Sequence, residues 1–407
     1  MASDQTVLQR LYHAYPRSFW VLWLGTLINR LGEFVVPLLG FYLASVQGLT
    51  TLQISVVLSV LGLGRFLAEG AGGALSDRLG TTATMVLALA GGAVTVLALS
   101  AARGFGWIVA GALAFSLFMA MYKPAVSSAV ATLTTGAQRT RAYTLLYWAI
   151  NVGASVAPAL GGWLSGFSFR LLFVLDAATM AVSAVLLGVF ERRSLLSAVR
   201  RGGAGGTARR LLPRDRLLWA FCVASLLFAL TYQSYRMLAL VFAQQGFTAA
   251  QYGQVLSVNG VLVVVLGLPL GQVISRSNHP RWQVVGAALL GAGFLLHAFA
   301  HTFWAHLLAV SVWSLGEIVA YSISKSIIAD LGRPDVRGTY IGLVGSMSGL
   351  ATLLAPLLGG ALLSHFGAGP LWITVSALAF GAALLYWQLE VPVTERREQN
   401  AGLVAAD

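Results

Sequence analysis

Ala157-Pro158-Ala159-Leu160-Gly161-Gly162 returns 198 residues later as Ala355-Pro356-Leu357-Leu358-Gly359-Gly360. Gly73 and Arg78 recur at the same interval as Gly271 and Arg276, and Arg139 recurs as Arg337, with no slip of register. Between positions 131 and 164, ten residues match the residue 198 further on, where so apolar a composition gives roughly three or four matches by chance. The chain therefore reads as two tandem copies of one unit.

Composition places both copies in a membrane. Of 407 residues 57% are apolar and 10% charged, with a mean hydropathy of +0.79, which leaves too little polar surface for a water-soluble chain of this length. Crossing a hydrocarbon core takes about 20 residues of helix, and apolar stretches of that order fall at 18–44, 52–74, 82–102, 107–131, 142–165 and 170–190. The repeat gives the second six at 217–243, 252–274, 282–300, 303–328, 338–363 and 370–390. Isolated strands would leave backbone groups unpaired in lipid. The expected fold is thus an all-α integral membrane protein of 12 transmembrane helices in two six-helix bundles. Its parts are a bundle over 1–190, a basic linker over 191–216, a bundle over 217–390 and a tail over 391–407.

An isoelectric point near 10.3 does not point to nucleic acid once the 26 bases are placed on the spans. Nineteen lie in tails and connections on the side of the N-terminus, eight of them between 192 and 216, and only Arg103 and Arg170 face the other way. That asymmetry predicts cytoplasmic termini and a multi-pass protein of the cell membrane, with lipid headgroups as partners of the basic linker. Residues 202–206 make that linker flexible. No short apolar region with a small-residue cleavage site opens the chain, so span one reads as retained. Cys222 is the single cysteine and the six histidines show no ligand spacing, so neither a disulfide nor a metal site is expected. With no nucleotide loop and no paired histidine–glutamate motif, an enzyme, a cofactor and direct ATP drive are not expected either. A monomer is the simplest assembly.

Ionisable residues inside spans are costly and mark function or a specific partner. Arg30 and Glu33 share a face of span one, and Arg65 and Glu69 a face of span two. Lys123 and Lys325 are the chain's only lysines and fall on the equivalent spans four and ten. Asp176, Arg236 and Glu317 complete the set. Plain structural readings exist for three of them: Lys325 can snorkel, Asp176 can hydrogen-bond locally, and Glu69 can pair with Arg65 or Arg78. Aromatic residues including Tyr147, Tyr232, Tyr235 and Tyr321 can line a pocket or simply pack.

Gly73-Ala-Leu-Ser-Asp77-Arg78-Leu-Gly80, between spans two and three, resembles the loop motif of the major facilitator superfamily of secondary transporters, and the resemblance covers essentially the whole chain. It implies that Gly73, Asp77, Arg78 and Gly80 form a gating loop that latches the cytoplasmic gate. Thr81 and Thr82 stand where many members have basic residues, and the second copy lacks the aspartate. Gly153, Pro158, Gly161 and Gly162 resemble the span-five packing motif of proton-coupled exporters, with Ala157 in place of a glycine. Small residues at that spacing let a helix approach its neighbour closely, and Pro158 bends it. Tyr122-Lys123-Pro124 and Tyr147-Trp-Ala-Ile-Asn151-Val-Gly153 are similar to motifs of proton-dependent oligopeptide transporters. Their span-four lysine and span-ten glutamate would correspond to Lys123 and Glu317, whereas their two span-one glutamates are matched by Thr26 and Asn29.

The mechanism implied is alternating access around a central site lined mainly by spans one, four, seven and ten. Glu33 and Glu317 are the proton-coupling candidates, because coupling needs a carboxyl whose solvation changes between states. Arg30, Arg65, Lys123, Asn151, Tyr232, Arg236 and Tyr321 are the substrate-cavity candidates. The partners are then a small-molecule substrate and protons. Export of small amphipathic compounds is the favoured direction, with uptake of peptides or other small metabolites as the alternative and a non-transporting receptor or scaffold as the reading from another class. If Asp77 latches the gate, Asp77→Asn shifts the protein toward its cytoplasm-open form. Cysteine labelling from each side, in a background lacking Cys222, shows the shift, and unchanged labelling refutes the latch.

Overall fold

The computed structural model describes residues 14–134, 136–190, 215–277, 279–332 and 337–406. Twelve spans form two six-helix bundles. Span one consists of two helices, Arg17–Leu31 and Val35–Ser45. Spans two to six are Thr51–Leu79, Thr81–Ala101, Phe105–Leu133, Gly136–Ser165 and Phe169–Phe190. Span seven runs through Arg216–Gln233, a 3-10 turn Ser234–Met237 and Leu238–Gln244. Spans eight to twelve are Ala249–Ser277, Arg281–His297, Phe303–Leu331, Arg337–Phe366 and Ala368–Ala406.

Packing obeys the 198-residue repeat. In the first half, span one packs on five and six, span four on two and three, and span three on six. In the second, span seven packs on eleven and twelve, span ten on eight and nine, and span nine on twelve. The turns after the first span of each half repeat as well. Gly48 and Gly246 adopt positive φ of 63° and 80°, a region open to glycine. Thr50 and Gln53 build a capping box at the start of span two, and Thr248 and Gln251 build the same box at span eight, each satisfying amides that a helix start leaves unpaired.

The halves meet mainly along two pairs of long helices, spans five with eight and spans two with eleven. Small residues make these contacts possible. A Cβ on Gly162 would stand 2.6 Å from the Ala249 carbonyl oxygen, one on Gly260 2.6 Å from Ser155 Cα, and one on Gly253 would overlap the Pro158 carbonyl. Between spans two and eleven, Gly360 faces Ser55, Gly62 lies against the Thr352 backbone and Gly349 against Phe66. The tight contacts thus lie from mid-span to the end that carries the 45–51 and 244–249 connections, called here the far end. Toward the near end, which carries the 79–81 and 277–281 connections, Gly267, Gly342 and Gly345 on the same helices meet no atom within 4 Å of a Cβ position.

Three expectations are corrected, and a fourth falls almost wholly outside the described residues. Span one is not continuous, because Pro37 lacks the amide that would bond the Glu33 carbonyl and its ring would clash with that oxygen. Span two runs to Leu79, so Gly73, Asp77 and Arg78 are helical and only Gly80, at φ 87°, makes the turn. The linker expected over 191–216 lies outside the described residues up to 214, while Asp215 caps span seven, accepting the Leu217 and Leu218 amides. Span twelve does not stop at 390. Its helix continues to Ala406 and is fastened to neighbours by Arg281–Glu390 at 2.6 Å, Arg396–Asp215 at 2.9 Å and Arg397–Asp330 at 2.8 Å. Burial pushes the Asp215 carboxyl up, but the Tyr340 hydroxyl and the Arg396 guanidinium outweigh it and hold it below the usual range.

Glycine at the crossing has a measurable consequence. Gly253→Ala is expected to cost about 1–3 kcal/mol through overpacking against Pro158, read as a lower thermal midpoint of the purified protein, whereas Gly267→Ala on the same helix, facing open space, costs nothing comparable. Equal midpoints for the two variants contradict the crossing.

Candidate substrate and proton site

The break in span one places the first charges of the site. Gly32 ends the first helix, and a Cβ there would overlap Thr179 of span six, so only glycine lets the two spans approach at this point. Residues 32–34 leave the helix, and Arg30 and Glu33 on either side of Gly32 form an ion pair, Nη1 donating to Oε2 at 2.5 Å. Gly153 of span five lies against the Arg30 backbone, where a Cβ would overlap Arg30 itself. The second helix starts at Val35, whose amide donates to Asp176 Oδ2 at 3.1 Å. Asp176 is fully buried and caps a helix 141 residues away, which corrects the expectation of a purely local hydrogen bond.

Arg30 and Glu33 open onto a central cavity in two adjoining lobes of about 120 and 250 Å³. Both lobes share Arg30, Glu33, Val36, Arg65 and Arg236; the smaller adds Lys123 and Met180, the larger Tyr232, Tyr235, Asn259 and Trp313. The walls thus come from both halves. Four cations and one carboxylate, Glu33, line the lobes among the described residues, so the lining carries a net positive charge.

Glu317 of span ten stands in the wall of the second half. Tyr232 donates its hydroxyl to Oε1 at 2.7 Å, and Asn259 of span eight donates Nδ2 to Oε2 at 2.6 Å and to Ser314 Oγ at 3.0 Å. The 3-10 turn of span seven presents Arg236, whose Nε donates to Gln233 Oε1 at 3.3 Å and whose guanidinium lies 5.6 Å from the Tyr235 ring centroid, within cation–π range. Tyr232 sits edge-on to Tyr321 at 5.7 Å and to Trp313 at 6.2 Å, and Tyr235 stacks on Trp313 at 6.5 Å. Carboxylate and guanidinium are therefore framed by aromatic rings.

The structure brings Arg30, Glu33, Arg65, Lys123, Tyr232 and Arg236 onto one cavity, with Glu317 and Tyr321 joined to it through Tyr232. Asn151 is not among the residues lining the lobes, and its Nδ2 bonds the Tyr147 carbonyl at 2.8 Å. Pro158 lines the larger lobe, while Gly161 lies against Phe34 and Leu38 and Gly162 against span eight. At the near end Arg78 is exposed. For Gly73 and Asp77 the described structure is their helical backbone. Sequence reasoning missed Asn259 and Trp313 as site residues, and named Tyr235 only as an aromatic that can line a pocket or pack. Asn259, an uncharged amide in the middle of an apolar span, was the available signal.

The model of the Major Facilitator Superfamily matches residues 22–283 and again 237–405. The chain belongs to the Major Facilitator Superfamily. Among members, it is 24% identical over 404 residues to the MFS-type transporter YqjV of Bacillus subtilis, covering 93% of this chain and 96% of that one. It is 25% identical to the multidrug resistance protein MdtH of Aeromonas salmonicida (87% and 90% covered) and 22% identical to a Na(+), Li(+), K(+)/H(+) antiporter of Planococcus maritimus (77% and 82%). The fold superposes on a crystal structure of the peptide transporter POT in complex with sulfate, with a TM-score of 0.79 at 14% identity and 97% of both chains covered. The protein is thus a multi-pass membrane transporter and not an enzyme.

Glu317 depends on its two donors. Tyr232→Phe and Asn259→Ala are each expected to destabilise the purified protein by about 1–3 kcal/mol, the cost of leaving a buried acceptor short of a partner, and their combination to depart from additivity because they share one carboxylate. Thermal unfolding of the four proteins measures this. Strictly additive or silent substitutions contradict the arrangement.

Proposed function

We propose that this transporter is a proton-coupled antiporter that exports small amphipathic molecules across the cell membrane by alternating access. The observation that carries the reading is Glu317, a carboxyl held by Tyr232 and Asn259 and joined through Tyr232 to a cavity lined by both halves, which meet tightly toward the far end. With the termini in the cytoplasm, as the distribution of basic residues favours, the far end is outward and the near end is the loading side. The aromatic frame suits an apolar body, and Arg30, Arg65, Lys123 and Arg236 suit an anionic group on it. A substrate that draws on these cations loosens the Arg30–Glu33 pair and changes the field at Glu317. Competition of proton and substrate for a carboxylate then couples the two movements. The names of the relatives, a multidrug resistance protein and a cation/proton antiporter, agree with this reading.

Uptake of zwitterionic metabolites or peptides is a second reading, favoured by one observation: Arg30, Arg65 and Lys123 of the first half and, through Tyr232, Glu317 of the second are gathered about one cavity, as a molecule with separated charges requires. Flux in vesicles with an imposed pH gradient separates the two, since antiport drives substrate against the proton movement and symport with it. In the same vesicles Glu317→Gln is expected to abolish proton-coupled flux and leave the protein folded. Unchanged coupling refutes the role given to Glu317.

A further inference from the structure

Asp176 is a buried carboxyl that the cavity chemistry does not use. It lies on span six behind the break in span one, one helical turn from Met180, which lines the smaller cavity lobe. Its side chain is fully buried, Oδ2 accepts the Val35 amide at 3.1 Å, and Oδ1 is buried with no hydrogen-bond partner among the described residues. The neighbouring Phe34 amide donates to the Gly32 carbonyl at 2.8 Å and is shared with Asp176.

Among the described residues, the titratable group that acts on this position is Glu33 of span one, and Arg65 and Lys123 line the smaller lobe with Met180. Arg30 is committed to Glu33 at 2.5 Å, and Glu33, two residues before Val35, is itself acidic. The second helix of span one adds Tyr42, whose hydroxyl accepts from Gln47. Span three and residues 148–165 of span five contain no titratable side chain. A carboxylate at Asp176 would have the Val35 amide, a shared Phe34 amide and the end of an 11-residue helix as compensation for the water it has lost, with a second acid close by. One full amide bond, one shared amide and a helix terminus replace only part of a carboxylate's hydration. A carboxylic acid, by contrast, accepts the same amide without a buried charge.

From this geometry we infer that Asp176 is a second proton-carrying site, loaded while the break in span one is closed against it and unloaded when the 32–34 segment moves and water reaches it. The step is a simple proton transfer. The O–H bond of the acid breaks, the proton passes to water in the smaller lobe, and the carboxylate that remains is stabilised by the amides at the start of the second helix. Because Val35 follows Glu33 by two residues, the same movement displaces the Arg30–Glu33 pair. Asp176 thereby links protonation to the conformation of the cavity wall. The inference rests on the proposed proton coupling for its purpose, but its test does not.

Infrared spectroscopy of the purified full chain in lipid nanodiscs reads the carbonyl stretch of protonated carboxyl groups. Asp176→Asn keeps an oxygen to accept the Val35 amide, since asparagine caps helices as well as aspartate, and removes the acid. The expected result at neutral pH is loss of one protonated-carboxyl band in Asp176→Asn, with that band retained in Glu33→Gln and Glu317→Gln. If Asp176→Asn does not fold, wild-type protein labelled with carboxyl-13C aspartate serves instead, and the band shifts to lower frequency. A band that neither the substitution nor the label moves shows Asp176 to be an ionised cap and overturns the inference. Vesicles in which wild type moves no protons would defeat the proposed function, while the band would still report on Asp176.

Discussion

In hydrocarbon an amide or carbonyl without a partner costs several kcal/mol, so this chain leaves the helical ladder inside the membrane only where other groups take up the freed hydrogen bonds. Span one breaks at residues 32–34 because Pro37 forbids continuation, and the break survives because Asp176 receives the Val35 amide. Span seven narrows to a 3-10 turn at Ser234–Met237, where backbone bonds remain internal. Both irregularities face the cavity, and both deliver its charges: Arg30 and Glu33 from one, Arg236 from the other. Backbone satisfaction and site geometry are therefore one arrangement.

Movement is constrained by where the halves touch. Glycine on spans two, five, eight and eleven removes side-chain volume at the crossings, so backbones meet from mid-span to the far end. Dispersion and shape hold such contacts in lipid, without a hydrophobic driving force. Contacts of that kind are suited to rolling, since no strong polar bond must break. The second half is braced differently at the near end, where Asp215 joins Tyr340 of span eleven and Arg396 of span twelve. That clamp stabilises above the ordinary range of a carboxyl and is lost as pH falls through the depressed value of Asp215.

Much of this was legible in the sequence. The 198-residue repeat, the twelve spans and the intramembrane charges follow from identity, hydropathy and cost. The same register also held two signals that went unread, Gly48 with Gly246 and Thr50-x-x-Gln53 with Thr248-x-x-Gln251, which mark the turn and cap after the first span of each half. Hydropathy measures length and is blind to interruption, so the break at 32–34 was missed although Pro37 announces it. Attention to charge alone likewise passed over Asn259, whose amide holds Glu317. Asn151 entered through a motif resemblance, and its Nδ2 bonds the Tyr147 carbonyl of its own helix, a local contact that the motif does not announce.

The proposed function requires a cavity that two rigid bundles expose to one side at a time. Pulsed electron paramagnetic resonance in nanodiscs tests it, using one spin-label pair at near-end positions Arg141 and Gln272 and another at far-end positions Phe167 and Gln254, with Cys222 replaced. As pH is varied or a transported compound is added, the near-end distance is predicted to shorten where the far-end distance lengthens. Distances that stay fixed, or that change in the same direction at both ends, would contradict it.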